Sequence, residues 1–189
     1  MKPIIKYLIC ISIFFSTSTF SSLQAQDENS MIGQAAPSFT LNGLDGKSYS
    51  LSDHKGNYVV IHFAATWCPF CNAEAPNLEQ IYKTYRSKGV QVIIVDVKED
   101  KELVSKSFAR FNFTFPVLLD LDGSVSTKYA PEGVQPDLAR DEVPLASNLI
   151  IDKEGNIVFY SLLNTATFDA KLTKVIEKLD DLLIADKNE

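Results

Sequence analysis

The chain has 189 residues, 46% of them apolar and 22% charged, with eight glycines and eight prolines, a composition that excludes disorder, collagen and coiled coil as descriptions of the whole. A length in this range favours one domain, able to bury roughly two thirds of its unfolded surface without disulfide staples. Eighteen basic residues stand against 24 acidic ones, for a net charge of −6, and the basic residues are scattered; nucleic acid is excluded as an expected partner.

In chain order, Lys2 and Lys6 flank an apolar run over residues 4–15, followed by a Ser/Thr-rich stretch over 16–22 and then Leu23-Gln24-Ala25-Gln26. This is the layout of a secretory signal peptide, with cleavage after Ala25. Residues 1–25 are therefore read as a signal peptide and 26–32 as a polar leader, and the mature protein is expected to be periplasmic or otherwise extracytoplasmic, where disulfides form and persist. No stable membrane insertion is expected once the signal is removed. A lipid anchor on Cys10 would need a complete hydrophobic run before it and a small residue beside it, and Cys10 has neither. An uncleaved anchor over residues 4–20 is only marginally long enough to span a bilayer.

Pro37-Ser38-Phe39-Thr40-Leu41 alternates, breaks at Asn42-Gly43 and Asp45-Gly46, and resumes over 48–51, which predicts a hairpin. Tyr58-Val59-Val60-Ile61-His62-Phe63-Ala64 reads as a strand buried on both faces. Residues 71–87 carry Ala75, Leu78, Ile81, Tyr82 and Tyr85 at helical spacing and end at Lys88-Gly89. A second buried strand follows over 90–97, an amphipathic helix over 102–111, a third strand over 115–119 with a turn at 120–123, and a short helix over 124–129. Residues 130–142 form a loop rich in Pro, Gly and charge. A hairpin over 149–151 and 157–160 and an amphipathic helix over 167–184 close the chain. Strands alternating with helices predict an α/β fold with a mostly parallel sheet covered on both faces, without internal repeats or a second domain.

Three cysteines are too few for a disulfide framework. Cys68 and Cys71 form a Cys-Pro-Phe-Cys pair within Ala65-Thr66-Trp67-Cys68-Pro69-Phe70-Cys71, where the first buried strand hands over to a helix. Thiol exchange needs a thiolate, and the unpaired N–H groups and positive dipole end of a helix's first turn lower a cysteine pKa below the free value of about 8.5. The spacing lets the second sulfur reach back and close a small ring. Cys68 is thus the candidate attacking thiol and Cys71 the resolving one. A zinc half-site is disfavoured, because zinc takes four ligands and outside the signal segment the chain offers only these cysteines with His54 and His62 on other elements. A purely structural disulfide would close too short a loop to stabilise much.

In this order, Pro37-Ser38-Phe39-Thr40-Leu41, Asp45-Gly46, Ser50-Leu51, Gly56, Trp67-Cys68-Pro69-Phe70-Cys71-Asn72-Ala73-Glu74-Ala75-Pro76, Phe115-Pro116-Val117-Leu118-Leu119-Asp120, and Leu149-Ile150-Ile151-Asp152 with Gly155 resemble the thioredoxin-like TlpA/ResA group of exported thiol-disulfide oxidoreductases, a branch near the AhpC/TSA peroxiredoxin-like superfamily. The resemblance covers residues 33–183. It implies a thioredoxin fold over residues 33–185, with an N-terminal β-hairpin and a helix-strand insertion over about 101–119 in a central mixed sheet flanked by helices. It places Glu74 on the group's acidic residue three positions after the resolving cysteine, a candidate for tuning cysteine pKa values and moving protons; an exposed acid favoured by the helix dipole is the alternative.

Two positions depart from the pattern. Six residues before the first cysteine, where thioredoxin has a buried acid and many TlpA-like proteins have Asn, this chain has His62, either a proton relay for Cys71 or a neutral hydrogen-bonded core group. The register of the group's cis-proline falls on Ala146, with Pro144 two positions earlier as the other candidate for a cis bond. Trp67, Pro69, Phe70, Pro144, Leu145 and Ala146 are the candidate substrate-facing residues, and the 130–142 loop is either a substrate-selecting rim or a tolerated insertion.

The expected activity is exchange of disulfides with protein thiols, in the reducing direction, with no cofactor and with a membrane or periplasmic electron donor as second partner. One alternative is a peroxiredoxin-like peroxidase; that family's Pro-x-x-x-Thr/Ser-x-x-Cys pattern meets Ile61 and Ala65 here. The other is a thiol-based metal or haem-thiol carrier.

Overall fold

The structure is a computed structural model and describes residues 31–130 and 145–188. The elements run β1 (Thr40–Gly43), β2 (Ser48–Ser50), β3 (Tyr58–Ala64), α1 (Pro69–Tyr85), β4 (Val90–Val97), α2 (Lys101–Phe108), β5 (Val117–Asp120), α3 (Ser124–Lys128), β6 (Ser147–Ile151), β7 (Ile157–Ser161) and α4 (Thr173–Ala185). They build one seven-stranded sheet in the order β2-β1-β5-β4-β3-β6-β7. β3, β4 and β5 are parallel, while β1 joins β5 and β6 joins β3 antiparallel. The sheet is therefore mixed, with the expected helix-strand insertion supplied by α2 and β5.

β3 lies inside the sheet and is buried at every position, as its unbroken β-branched and aromatic run requires. It fixes the site, because its C-terminal end delivers the chain to Cys68. α1 begins two residues earlier than the apolar spacing suggests: Cys68 is the N-cap and Pro69 takes the first helical position, where a missing N–H costs nothing. The helix gives way at Arg86–Lys88 to one 3-10 turn, ended by Gly89 at φ 82.

The expected last helix is shorter at its start. Residues 167–172 form turns because polar side chains there bond to nearby backbone instead of allowing the helix ladder to form. Asn164 Oδ1 accepts the Ala166 N–H at 3.0 Å, and Asp169 accepts those of Lys171 at 3.0 Å and Thr173 at 2.7 Å. α2 likewise stops at Phe108, passes through a 3-10 turn over Ala109–Phe111, and ends with Asn112 left-handed at φ 51.

The start of the packed chain is tied beside the β6–β7 hairpin, through Gly33 N–H to the Ile157 carbonyl and Ala36 N–H to that of Gly155, both at 2.8 Å. Burial reaches back to Met31. The proposed signal segment and most of the leader lie outside the described residues, as do Pro144 and almost all of the 130–142 loop.

Candidate active site

Cys68 and Cys71 are joined by a disulfide, with their Cα atoms 5.3 Å apart. The local sequence places them there: the Cys68 N–H bonds back to the Ala65 carbonyl at 3.0 Å, making a turn off the end of β3, and the Cys71 N–H then donates to Cys68 Sγ at 3.2 Å. Cys68 thus caps α1 with its own sulfur, where an anionic sulfur gains most from the unpaired N–H groups and the dipole. Cys71 Sγ lies deeper, 3.9 Å from the Phe63 carbonyl. The two cysteines are only 3% and 2% exposed, beneath a rim on which Trp67 is 45% exposed. Pro69 is also exposed, whereas Phe70 is half-buried and meets the Phe168 ring edge-on at 4.8 Å.

Behind the disulfide lies a cluster of three polar side chains inside apolar packing. His62 from β3 is 1% exposed, Glu74 from α1 is 4% and Asn148 from β6 is 2%. His62 Nδ1 stands 3.0 Å from Asn148 Oδ1, and Asn148 Nδ2 donates to both Glu74 oxygens at 3.4 Å. An amide oxygen only accepts, so His62 carries its proton on Nδ1 when neutral, and among the described residues no hydrogen bond forms at Nε2. Burial pushes the His62 pKa down to about 4 against the opposing pull of the Asn148 bond. Burial also pushes Glu74 up to about 8, with Asn148 lowering it and Asp169 adding to the rise. The 3.4 Å approach of His62 Nδ1 to Glu74 Oε2 is therefore a contact between a neutral imidazole and a carboxylic acid at neutral pH, rather than an ion pair. The alternative of an exposed Glu74 does not hold, because the residue faces inward.

Glu74, Asn148 and Ala146 also form one wall of a half-open crevice of about 180 Å³, whose other wall includes Leu162, Phe168 and Leu172. Ala146 adopts φ 55 and donates its N–H to the Phe63 carbonyl at 2.9 Å, extending the β3–β6 ladder, and no peptide bond among the described residues is cis. A proline could supply neither that angle nor that donor. Leu145 is buried in the core.

The AhpC/TSA family profile matches residues 32–160, about two thirds of the chain. The chain belongs to the AhpC/TSA family. Within that family it is similar to the thiol-disulfide oxidoreductase ResA of Bacillus thuringiensis subsp. konkukian, 31% identical over 157 residues covering 83% of each chain. It is also similar to that of Geobacillus thermodenitrificans, 35% identical over 126 residues covering 67% of this chain and 66% of the relative. Among solved structures, a protein from Bacteroides thetaiotaomicron described as a putative protein disulfide isomerase superposes with a TM-score of 0.68 at 29% identity, covering 80% of this chain and 89% of that one. Family, thioredoxin fold and a bonded Cys-x-x-Cys pair agree on thiol–disulfide exchange as the chemistry of this member.

Asn148 and Glu99 were not singled out by sequence reasoning. Asn148 lies in β6 with Ser147, ahead of the apolar Leu149-Ile150-Ile151, where no apolar period reaches it. Glu99 stands in Lys98-Glu99-Asp100-Lys101, a charged stretch with no signal of burial, yet it is 4% exposed and bonds to Thr66.

Proposed function

We propose that this protein is an extracytoplasmic thiol-disulfide oxidoreductase that reduces disulfides in protein substrates through Cys68 and Cys71. The observation that carries the proposal is the seat of Cys68 Sγ at the N-cap of α1, accepting the Cys71 N–H. In the reduced enzyme the same site stabilises a Cys68 thiolate. That thiolate attacks one sulfur of the substrate disulfide, forming a mixed disulfide and releasing the other sulfur as a thiolate. Cys71, on losing its proton, attacks Cys68 Sγ; the second substrate sulfur leaves, and the enzyme is left with the Cys68–Cys71 bond, two electrons poorer. A second thiol partner, the electron donor, returns those electrons by the same steps in reverse.

Glu74 is the group we assign to the protons in this cycle. It keeps its own proton up to about pH 8 and reaches solvent through the crevice, so it can exchange protons near neutral pH. Neutral His62, bonded to Asn148, orients the amide that holds Glu74. Trp67, Pro69 and Phe70 offer the substrate an apolar rim. The hairpin, the Cys-x-x-Cys pair and the export-type leader support this reading over a peroxidase, for which Ile61 replaces the proline of the pattern and Ala65 its hydroxyl.

Purified protein should catalyse dithiol-dependent insulin precipitation. Cys68→Ser should abolish it, and Cys71→Ser should accumulate mixed disulfides with substrates in cells. Full activity in Cys68→Ser together with loss in Cys71→Ser would reverse the roles. A Cys68–Cys71 potential as oxidising as about −120 mV would defeat the reducing direction.

A further inference from the structure

Cys68 owes its place at the head of α1 to the turn that precedes it, and that turn is gripped from the β4–α2 side of the molecule. The buried Glu99 carboxylate accepts the Thr66 backbone N–H at one oxygen and the Thr66 hydroxyl at the other, the latter at 2.9 Å. The Thr66 carbonyl accepts from Asn72 Nδ2 at 2.9 Å, and Asn72 Oδ1 accepts from Arg110 Nη2 at 2.8 Å. Every polar group of Thr66 is thereby committed, two residues before the reactive sulfur.

The backbone is bent to bring Glu99 there. Lys98, just before it, is left-handed at φ 59, a conformation that costs a residue with a side chain of order 1 kcal/mol or more. It is held by its N–H bond to the Asp120 carbonyl at 2.9 Å. Its side chain lies so close to Gly123 that a Cβ there would stand 2.4 Å from Lys98 Cε. On the other side of Glu99, Asp100 caps α2 by accepting the Leu103 N–H at 2.9 Å. The carboxylate is thus fixed between a strained residue and a helix cap.

We propose that Glu99 is a positioning residue of the exchange reaction: acting through Thr66, it holds the turn that seats Cys68 Sγ against the Cys71 N–H, with Asn72 and Arg110 closing the clamp from the opposite side. This rests on Cys68 being the attacking thiol. The two Thr66 donors bond to different oxygens of the carboxylate, and an amide in its place would set an NH2 donor against one of them. The stabilisation of a thiolate by a helix end fades within one turn. Slack in the turn therefore weakens the Cys68 thiolate without touching either cysteine.

The test is the pH profile of Cys68 alkylation by iodoacetamide in the reduced full chain, assigned by peptide mass spectrometry. Thr66→Val keeps the charge and volume of the site, and Glu99→Gln keeps its volume. Positioning predicts that both shift the profile to higher pH and slow alkylation at pH 7 by about three- to tenfold, the scale of one lost hydrogen bond of ordinary net strength, and that Thr66→Ser restores it. If Glu99 acted only through its charge, Glu99→Gln would shift the profile to lower pH and Thr66→Val would leave it in place. Either of those results overturns the proposal, as do unchanged profiles with a lowered melting temperature. Should Glu99→Gln not fold, Arg110→Ala loosens the same clamp from the surface and must produce a smaller shift in the same direction. A normal Cys68 profile without insulin reduction in the unaltered protein would count against the proposed function and leave the clamp standing.

Discussion

At the level of single residues, the His62–Asn148–Glu74 cluster ties stability to pH through two opposed titrations. Glu74 binds its proton more tightly folded than unfolded, so it subtracts stability as pH rises from about 4.5 to about 8. His62 binds its proton less tightly folded, so it subtracts stability as pH falls from about 6.5 to about 4. Between 4.5 and 6.5 the slopes oppose each other. Above 6.5 only the Glu74 slope remains, at up to about 1.4 kcal/mol per pH unit. The oxidised protein should therefore lose melting temperature from pH 6.5 to 8, and Glu74→Gln should flatten that decline; a decline of equal steepness in the variant would show that another group causes it. Ala146 makes a second prediction. Its φ of 55 costs an L-residue roughly 1–2 kcal/mol, partly offset in glycine by greater chain entropy. Ala146→Gly should stabilise by about 0.5–1 kcal/mol in denaturant unfolding, while Ala146→Pro, which needs a negative φ and removes the donor to Phe63, should destabilise by about 3 kcal/mol or more.

At the scale of elements, the sequence was readable wherever a single period ruled. β3 and β4 follow from short, mostly apolar and β-branched runs, and α1 from its spacing of Ala75, Leu78 and Ile81. Ends were harder, because side chains set them. α4 starts late since Asp169 binds two N–H groups ahead of it, and no apolar pattern reports such bonds. Asp169→Ala should cost about 1 kcal/mol through the turn bonds it loses to the Lys171 and Thr173 N–H groups and also let Glu74 titrate lower, since Asp169 contributes to its raised pKa; Asp169→Asn should retain much of the turn while still releasing Glu74. Melting curves and a carboxyl titration by NMR separate the two effects. The candidate site shows the same division. The cysteines and Glu74 stood out by motif and resemblance, but the grip of Glu99 on Thr66 spans 33 positions, and that of Asn148 on Glu74 spans 74. Such partners come together only through the order of the strands. A similar grip recurs away from the disulfide, where Glu79 of α1 accepts both the N–H and the hydroxyl of Thr114, at 2.9 and 2.8 Å. Buried carboxylates thus secure two of the loops that flank the sheet.

For the molecule as a whole, the sheet order puts β4 and β3 at the centre and β2 at an edge. Native-state hydrogen exchange should follow that order: amides of residues 60–63 and 92–95 should exchange last, at the global unfolding free energy, and those of β2 first. The disulfide hangs from the end of the best-protected strand, so exchange of one pair of electrons need not disturb the frame that carries it. Acidic balance and scattered lysines, legible from composition, agree with the proposal that partners meet the small apolar rim rather than a broad basic surface.

That rim has a practical consequence. Trp67 is the only tryptophan in the chain; it adjoins Cys68 and faces water. A neighbouring disulfide quenches indole emission, so the protein carries its own optical gauge: fluorescence excited at the indole band should brighten when the bond opens and dim when it closes. Turnover with any candidate donor or acceptor can then be followed in real time, without label or coupled assay.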